Sequence, residues 1–192
     1  MNALVKKIMK RYSNRARLQL LKKMPVNAIC AEIGVWKGVF SEDVLRTTQP
    51  EKLYLIDPWM FQPDFADRWY GGALAKSQMD MDDIFSEVKE RFASDARVTL
   101  KRDKSDSALS SFPDDYFDWV YIDGNHYFEY VLRDIELSIS KTKAGGFICG
   151  DDLFWGEEFD FPVKRAVQEM VDKYKLSNVC YIKDQFIIVN DK

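Results

Sequence analysis

Histidine is almost missing from this chain: His126 is the one copy in 192 residues. That excludes a His-rich zinc centre and leaves little room for a Ser-His-Asp hydrolase. Cysteine is scarce as well. Cys30, Cys149 and Cys180 are odd in number and lack metal-ligand spacing, which points to buried small hydrophobes in a reducing, cytoplasmic compartment. No apolar run approaches the roughly 18 residues of a membrane-spanning helix. The basic N-terminus is not followed by the apolar stretch and cleavage site of a secretory signal. No G-x-G-x-x-G loop occurs.

Acidic residues are absent from residues 1–24, which carry eight basic ones (Lys6, Lys7, Lys10, Arg11, Arg15, Arg17, Lys22, Lys23). The other 168 residues hold all 31 acids against 20 basic side chains, so a net charge of −3 hides a basic arm on a body of −11. A body this acidic argues against nucleic acid as a partner.

What is present reads as one globular domain, with 46% hydrophobic and 31% charged residues. Residues 3–23 have apolar positions at three- and four-residue steps and predict a basic helix, closed by Met24-Pro25. Short apolar runs at 28–33, 53–56, 97–100, 117–122 and 147–149 predict five buried strands. Helical patterns at about 41–47, 80–93, 106–111, 127–140 and 163–174 fall between or after them. Residues 179–182 and 186–189 close the chain as a hairpin. Strand-helix alternation of this kind predicts an α/β, doubly wound, mostly parallel seven-stranded sheet with a C-terminal antiparallel hairpin.

Such sheets bind ligands at the carboxyl ends of their strands. The residues expected there are acidic: Glu32, Asp57, Asp103, Asp123, Asp151 and Asp152. Like charges gathered at one rim call for a cation or a hydroxyl-rich ligand among them. Gly34 and Gly38 flank the first strand-to-helix loop, where they suit either close approach to a ligand or simply a tight turn. Asp57 suits the ribose hydroxyls of a nucleoside, or equally a solvated acid before Pro58. Asp123 with Asp151-Asp152 forms a hard oxygen set suited to Mg²⁺, Mn²⁺ or Ca²⁺, against the alternative of turn and cap chemistry. His126, three residues beyond Asp123, is the candidate general base, against a structural hydrogen bond near a helix start.

Three stretches together resemble a known family: Leu55-Ile56-Asp57-Pro58-Trp59, Trp119 to His126 (WVYIDGNH), and Gly145 to Asp152 (GGFICGDD). With Tyr70-Gly71-Gly72, Arg102 to Ser105 and Phe161 to Val167, they are similar to the class I S-adenosylmethionine-dependent methyltransferases of the methyltransferase 24 type. These are related to metal-dependent sugar O-methyltransferases. The resemblance covers residues 28–190 and implies the class I methyltransferase-like Rossmann fold. It implies that Glu32, Gly34 and Gly38 border the methionine part of the cofactor. Asp57 would hold the ribose with Trp59 beside it, and Asp103 to Ser105 would lie near the adenine. Asp123, Asp151 and Asp152 would bind Mg²⁺ or another divalent cation. The departure is Asn125, where many relatives carry a second acid, which leaves His126 as the candidate base.

The expected activity is therefore metal-assisted O-methylation of a small molecule or sugar, with the aromatic segment Trp59–Met79 as lid and wall. The rival readings are an inactive, methyltransferase-like binding protein, kept open by Asn125, and an NAD-dependent oxidoreductase. Residues 1–24 are expected to form a basic helix outside a methyltransferase domain at 25–192. This arm is expected to dock on the acidic body or a partner subunit, as in a homo-oligomer, or to touch an anionic membrane surface.

Overall fold

A computed structural model describes residues 15–192. Most of the expected N-terminal helix, with Lys6, Lys7, Lys10 and Arg11, lies outside the described residues. Its C-terminal turns, residues 15–21, are helical and are called α1. The strands are β1 (Ile29–Ile33), β2 (Lys52–Ile56), β3 (Val98–Lys101), β4 (Phe117–Ile122), β5 (Thr142–Gly150), β6 (Val179–Ile182) and β7 (Gln185–Val189). The remaining helices are α2 (Val39–Thr48), α3 (Gln78–Arg91), α4 (Ser105–Ser110), α5 (Phe128–Lys141) and α6 (Pro162–Tyr174).

The strands form one sheet in the order β3-β2-β1-β4-β5-β7-β6. β1 to β5 pair in parallel, while β7 runs antiparallel to both β5 and β6. The order reverses between β1 and β4, so a crevice opens at their carboxyl ends. The fold is the doubly wound sheet expected from the strand-helix alternation. Most element ends shift by one or two residues; the largest difference is at β5, which begins at Thr142 rather than Phe147, with an irregular register between Phe117 and Trp119. The extra residues pair Thr142 with Phe117 before the glycines let the strand bulge.

Side chains alternate across a strand, so each central strand feeds two cores. Ala31, Ile33, Tyr54, Ile56, Val120, Ile122 and Ile148 face α4, α5 and α6, where Leu109, Ile135 and Val167 are buried. Cys30, Leu53, Leu55, Trp119, Tyr121 and Cys149 face α1, α2 and α3. Leu20, Leu21 and Met24 are buried in this second core, so the described end of the basic arm is packed and not a free tail. Local chemistry sets several helix starts. The Ser77 hydroxyl accepts the Asp80 N–H at the start of α3, and Pro162 opens α6, where a missing N–H costs nothing. Among the described residues no helix is long and apolar enough to cross a membrane.

One buried acid lies beneath the sheet. Asp134 of α5 is 3% exposed. Burial pushes its carboxyl up to about 7, with Asp106 adding to the rise and the Ser105 hydroxyl and Arg133 opposing it. The folded protein therefore keeps a proton that the unfolded chain releases above its ordinary carboxylate range. Stability from the neutral form is present at acid pH and falls as pH rises towards 7. Between about pH 5 and about pH 8, urea unfolding should show wild type losing more stability than Asp134→Asn, by roughly 1–3 kcal/mol. Parallel pH curves for the two proteins would show that Asp134 does not control this dependence.

Candidate active site

The crevice is built first by the β1–α2 loop. Gly34 has φ +84, and a Cβ there would fall 2.1 Å from the Asp123 carbonyl oxygen. Glycine is required because the backbone after β4 packs directly against it. Its N–H donates to the Ile56 carbonyl. Gly38, with φ +72, precedes α2.

Asp57 holds this loop. Its Oδ2 accepts the N–H groups of Val35 and Trp36, both at 3.0 Å, and its Oδ1 accepts the Trp59 N–H at 2.7 Å. Burial nevertheless leaves its pKa above the ordinary value, against the pull of those three bonds. Trp59 is fully buried, packs on Phe85, and donates its indole N–H to the Trp36 carbonyl. Glu32 is buried under the loop and accepts the Ser41 hydroxyl at 2.6 Å. Burial drives its carboxyl up to about 8; Ser41 and Arg17 oppose this, while Asp123 and Asp57 add to it.

On the β3 side, Asp103 is exposed and accepts the Lys104 N–H and the Ser107 hydroxyl, which organise the start of α4. Ser105, the first residue of α4, sits beside Asp134. Both lie at the β3 end of the crevice rim.

The β4 and β5 ends bring Asp123, Asp151 and Asp152 together. Asp151 is 2% exposed. One of its oxygens receives the Gln185 amide, and Gln185 in turn accepts the Tyr121 hydroxyl. The other oxygen is bound by Arg17 of α1. The same Arg17 Nη2 also donates to Asp123 Oδ2 at 2.7 Å, and the guanidinium lies 5.1 Å from the Phe40 ring centre. Burial disfavours the charge on Arg17, but Asp123, Tyr121 and Asp151 outweigh it and raise its pKa. Burial pushes Asp151 up to about 7, opposed by Arg17 and reinforced by Asp123 and Asp152.

His126 Nε2 lies 2.8 Å from Asp152 Oδ2 and 3.5 Å from Asp123 Oδ1. The nitrogen is buried without an aligned hydrogen-bond partner, so these are charge contacts rather than well-directed bonds. Burial favours the neutral ring, yet the two carboxylates overcome it and raise the pKa to about 10. Asn125 is structural: its side-chain oxygen accepts the Tyr127 N–H before α5.

An aromatic wall stands beside His126. Its ring centre is 5.5 Å from Trp155. Arg68 stacks 4.1 Å over Trp155 and 5.3 Å over Tyr127. Phe65 and Phe159 pack on Tyr127. Arg68 and Phe65 come from the 59–79 segment, which folds into short turns at Pro63–Phe65 and Trp69–Ala73. Gly71 is a packing residue there, because a Cβ would fall 1.9 Å from the Phe65 carbonyl oxygen.

Residues 31–153 match the family described as Methyltransferase domain. The chain belongs to the methyltransferase 24 family. Among solved structures, this methyltransferase domain is similar to the O-methyltransferase NovP, with a TM-score of 0.68 and 18% identity over 92% of this chain and 80% of that one. It is also similar to SMU.1697c of Streptococcus mutans, solved in complex with SAH, with a TM-score of 0.61 and 12% identity over 92% of this chain and 97% of that one. For the spermidine synthase of Thermotoga maritima, the TM-score is 0.57 at 13% identity, over 92% of this chain and 56% of that one. The chain thus spans little more than half of the synthase. At these identities the likenesses show the fold. No curated protein matches the chain by sequence.

The methyltransferase domain has a donor set that fits a divalent cation. Among the described residues, ligand atoms of Asp123, His126 and Asp152 lie within 4.8 Å of one another, as do those of Asp151, Asp152 and Asp184. The unaligned, buried His126 nitrogen belongs to the first set and lies beside its carboxylates. Hard carboxylate oxygens suit Mg²⁺ or Mn²⁺.

Arg17, like Asp184, Gln185, Arg68 and Trp155, is a residue the sequence pattern did not single out. Its signal was indirect: a rim with more acids than one His can offset, and an acid-free helix at the other end of the chain.

The close approach at Gly34 has a measurable consequence. Gly34→Ala should destabilise the protein by roughly 2–4 kcal/mol, because a side chain at positive φ meets backbone that cannot turn aside. Gly38→Ala should cost less, since its Cβ would meet the Phe92 ring. Chemical denaturation of both variants tests this, and equal losses would contradict it.

Proposed function

We propose that this domain transfers a methyl group from S-adenosylmethionine to an oxygen of a small molecule or sugar, with help from a divalent cation. The observation that carries this is the convergence of Asp57, Asp123, Asp151 and Asp152 on the switch-point crevice of a methyltransferase sheet. The fold likeness to NovP, an O-methyltransferase, supports oxygen as the acceptor atom.

The sulfonium of the cofactor supplies an electrophilic methyl group, which an oxygen nucleophile takes by in-line displacement to leave S-adenosylhomocysteine. Asp57 holds the ribose. Its two oxygens offer about four lone-pair directions, and the loop N–H groups use three. Trp59 backs Asp57 from the core. Glu32, Gly34 and Gly38 border the methionine moiety; a largely protonated Glu32 offers a donor as well as an acceptor. Asp103 and Ser105 border the adenine.

Asp123, Asp151 and Asp152 are the proposed holders of Mg²⁺ or a similar ion, which would lower the pKa of the acceptor hydroxyl and fix its position. His126 is the proposed proton acceptor, held beside Asp123 and Asp152; a cation drawing on those two carboxylates would offset the pull that keeps the ring protonated. The wall of Arg68, Trp155, Tyr127 and Phe159 orients an aromatic or sugar face and excludes water.

Labelled S-adenosylmethionine offered with a panel of hydroxylated acceptors tests the activity, and calorimetry with S-adenosylhomocysteine tests the cofactor. Folded protein that binds no S-adenosylhomocysteine would overturn the reading. Asp57→Ala should weaken S-adenosylhomocysteine binding by about tenfold or more, the loss of a hydrogen bond to a charged group. His126→Gln should lower turnover by roughly 10²–10⁴-fold with cofactor affinity retained. A His126→Gln enzyme of normal turnover would remove His126 from the chemistry.

A further inference from the structure

We propose that Arg17 is a built-in competitor for the divalent-cation site, so that docking of α1 and binding of the metal exclude one another. The inference rests on the proposed metal role of the same carboxylates and adds the device that controls it. Its ground is positional. Arg17 spans the two carboxylates: Nε donates to Asp151 Oδ2, and Nη2 donates to Asp123 Oδ2 while also lying in ion-pair contact with Asp151 Oδ2. A cation held by both carboxylates would compete with the guanidinium for these same oxygens and meet its positive charge at close range.

The docked state is built, not incidental. Arg17 lies on the helix whose Leu20, Leu21 and Met24 are buried in the core shared with α2 and α3. Phe40 of α2 lies against the guanidinium. Gln185 and Tyr121 hold Asp151 in the orientation that meets Arg17. Arg17 sets its guanidinium between Asp123 and Asp151, so these two carboxylates have a cationic partner without a metal. For the ion to take both Asp123 and Asp151, Arg17 has to withdraw, and α1, which carries it, has to shift with it. The acid-free arm then acts as an internal substitute for the cation.

The test is Mn²⁺ binding, followed by calorimetry and by the electron paramagnetic resonance signal of free Mn²⁺, on the full chain. Arg17→Met removes the charge but keeps an apolar side chain against Phe40. It should bind Mn²⁺ at least tenfold more tightly than wild type, and Mn²⁺ should raise its melting temperature by more than it raises that of wild type. Arg17→Met combined with Asp123→Asn should lose the gain, which places the ion at this site. Equal Mn²⁺ affinity in wild type and Arg17→Met would overturn the competition while leaving a metal site. No Mn²⁺ binding to either folded protein would overturn both the competition and the metal role, and would leave S-adenosylhomocysteine binding as the separate measure of methyl transfer. If Arg17→Met does not fold, trypsin decides on wild type alone: Mn²⁺ should speed cleavage after Arg17, and an unchanged rate would overturn the proposal.

Discussion

Parallel pairing of β4 with β5 aligns Ile122 with Gly150 and so delivers Asp123 and Asp151 to the same edge of the sheet. Their like charges, with Asp152 next in the chain, cannot sit in a crevice of low polarity without compensation. The compensation comes from two directions. Arg17 reaches in from the helix before the first strand, and His126 turns back from the start of α5. Much of the crevice is arranged around that balance. Gln185 on β7 and Tyr121 on β4 orient Asp151, and Phe40 on α2 supports Arg17. Charge on Arg17 and Asp123 is felt as far as Glu32 under the first loop.

A second constraint works through the backbone. Gly34 lets the β1–α2 loop lie against the turn after β4, and Asp57 then ties that loop to the end of β2 through the amides of Val35, Trp36 and Trp59. Three strand ends are thereby locked to one another by one glycine and one carboxylate. The rigidity suits a site that must hold a cofactor and an acceptor in line, where small displacements are expensive in rate. The aromatic wall adds a different kind of surface. Arg68 lies over the Trp155 ring beside His126, which offers an acceptor both a ring face and a positive charge near the proposed reacting centre.

The strand-helix rhythm of residues 28–192, the antiparallel hairpin at its end and the acids at the strand ends follow from local patterns. A period of two or of 3.6 and a glycine or acid after an apolar run are properties of neighbouring residues. The motifs around Asp57, Asp123 and Asp151 were legible for the same reason, and family membership agrees with them. Partners distant in the chain were not legible. Nothing near Asp57 says that its oxygens serve the amides of Val35 and Trp36. Nothing near Gly34 says that the chain pressing on it is Asp123.

Arg17 shows the division most clearly. In sequence it is one of eight like charges in an arm that lies outside the family resemblance, and its neighbours distinguish it in no way. Only folding decides that this arginine meets Asp123 and Asp151, 106 and 134 residues away, while Leu20 and Leu21 of the same helix enter the core. Composition shows only that counter-charges are available for the acidic rim, because a charge count is a sum over the chain. Which charge supplies it depends on direction and distance in three dimensions, and those are set by the packing of α1 against the sheet.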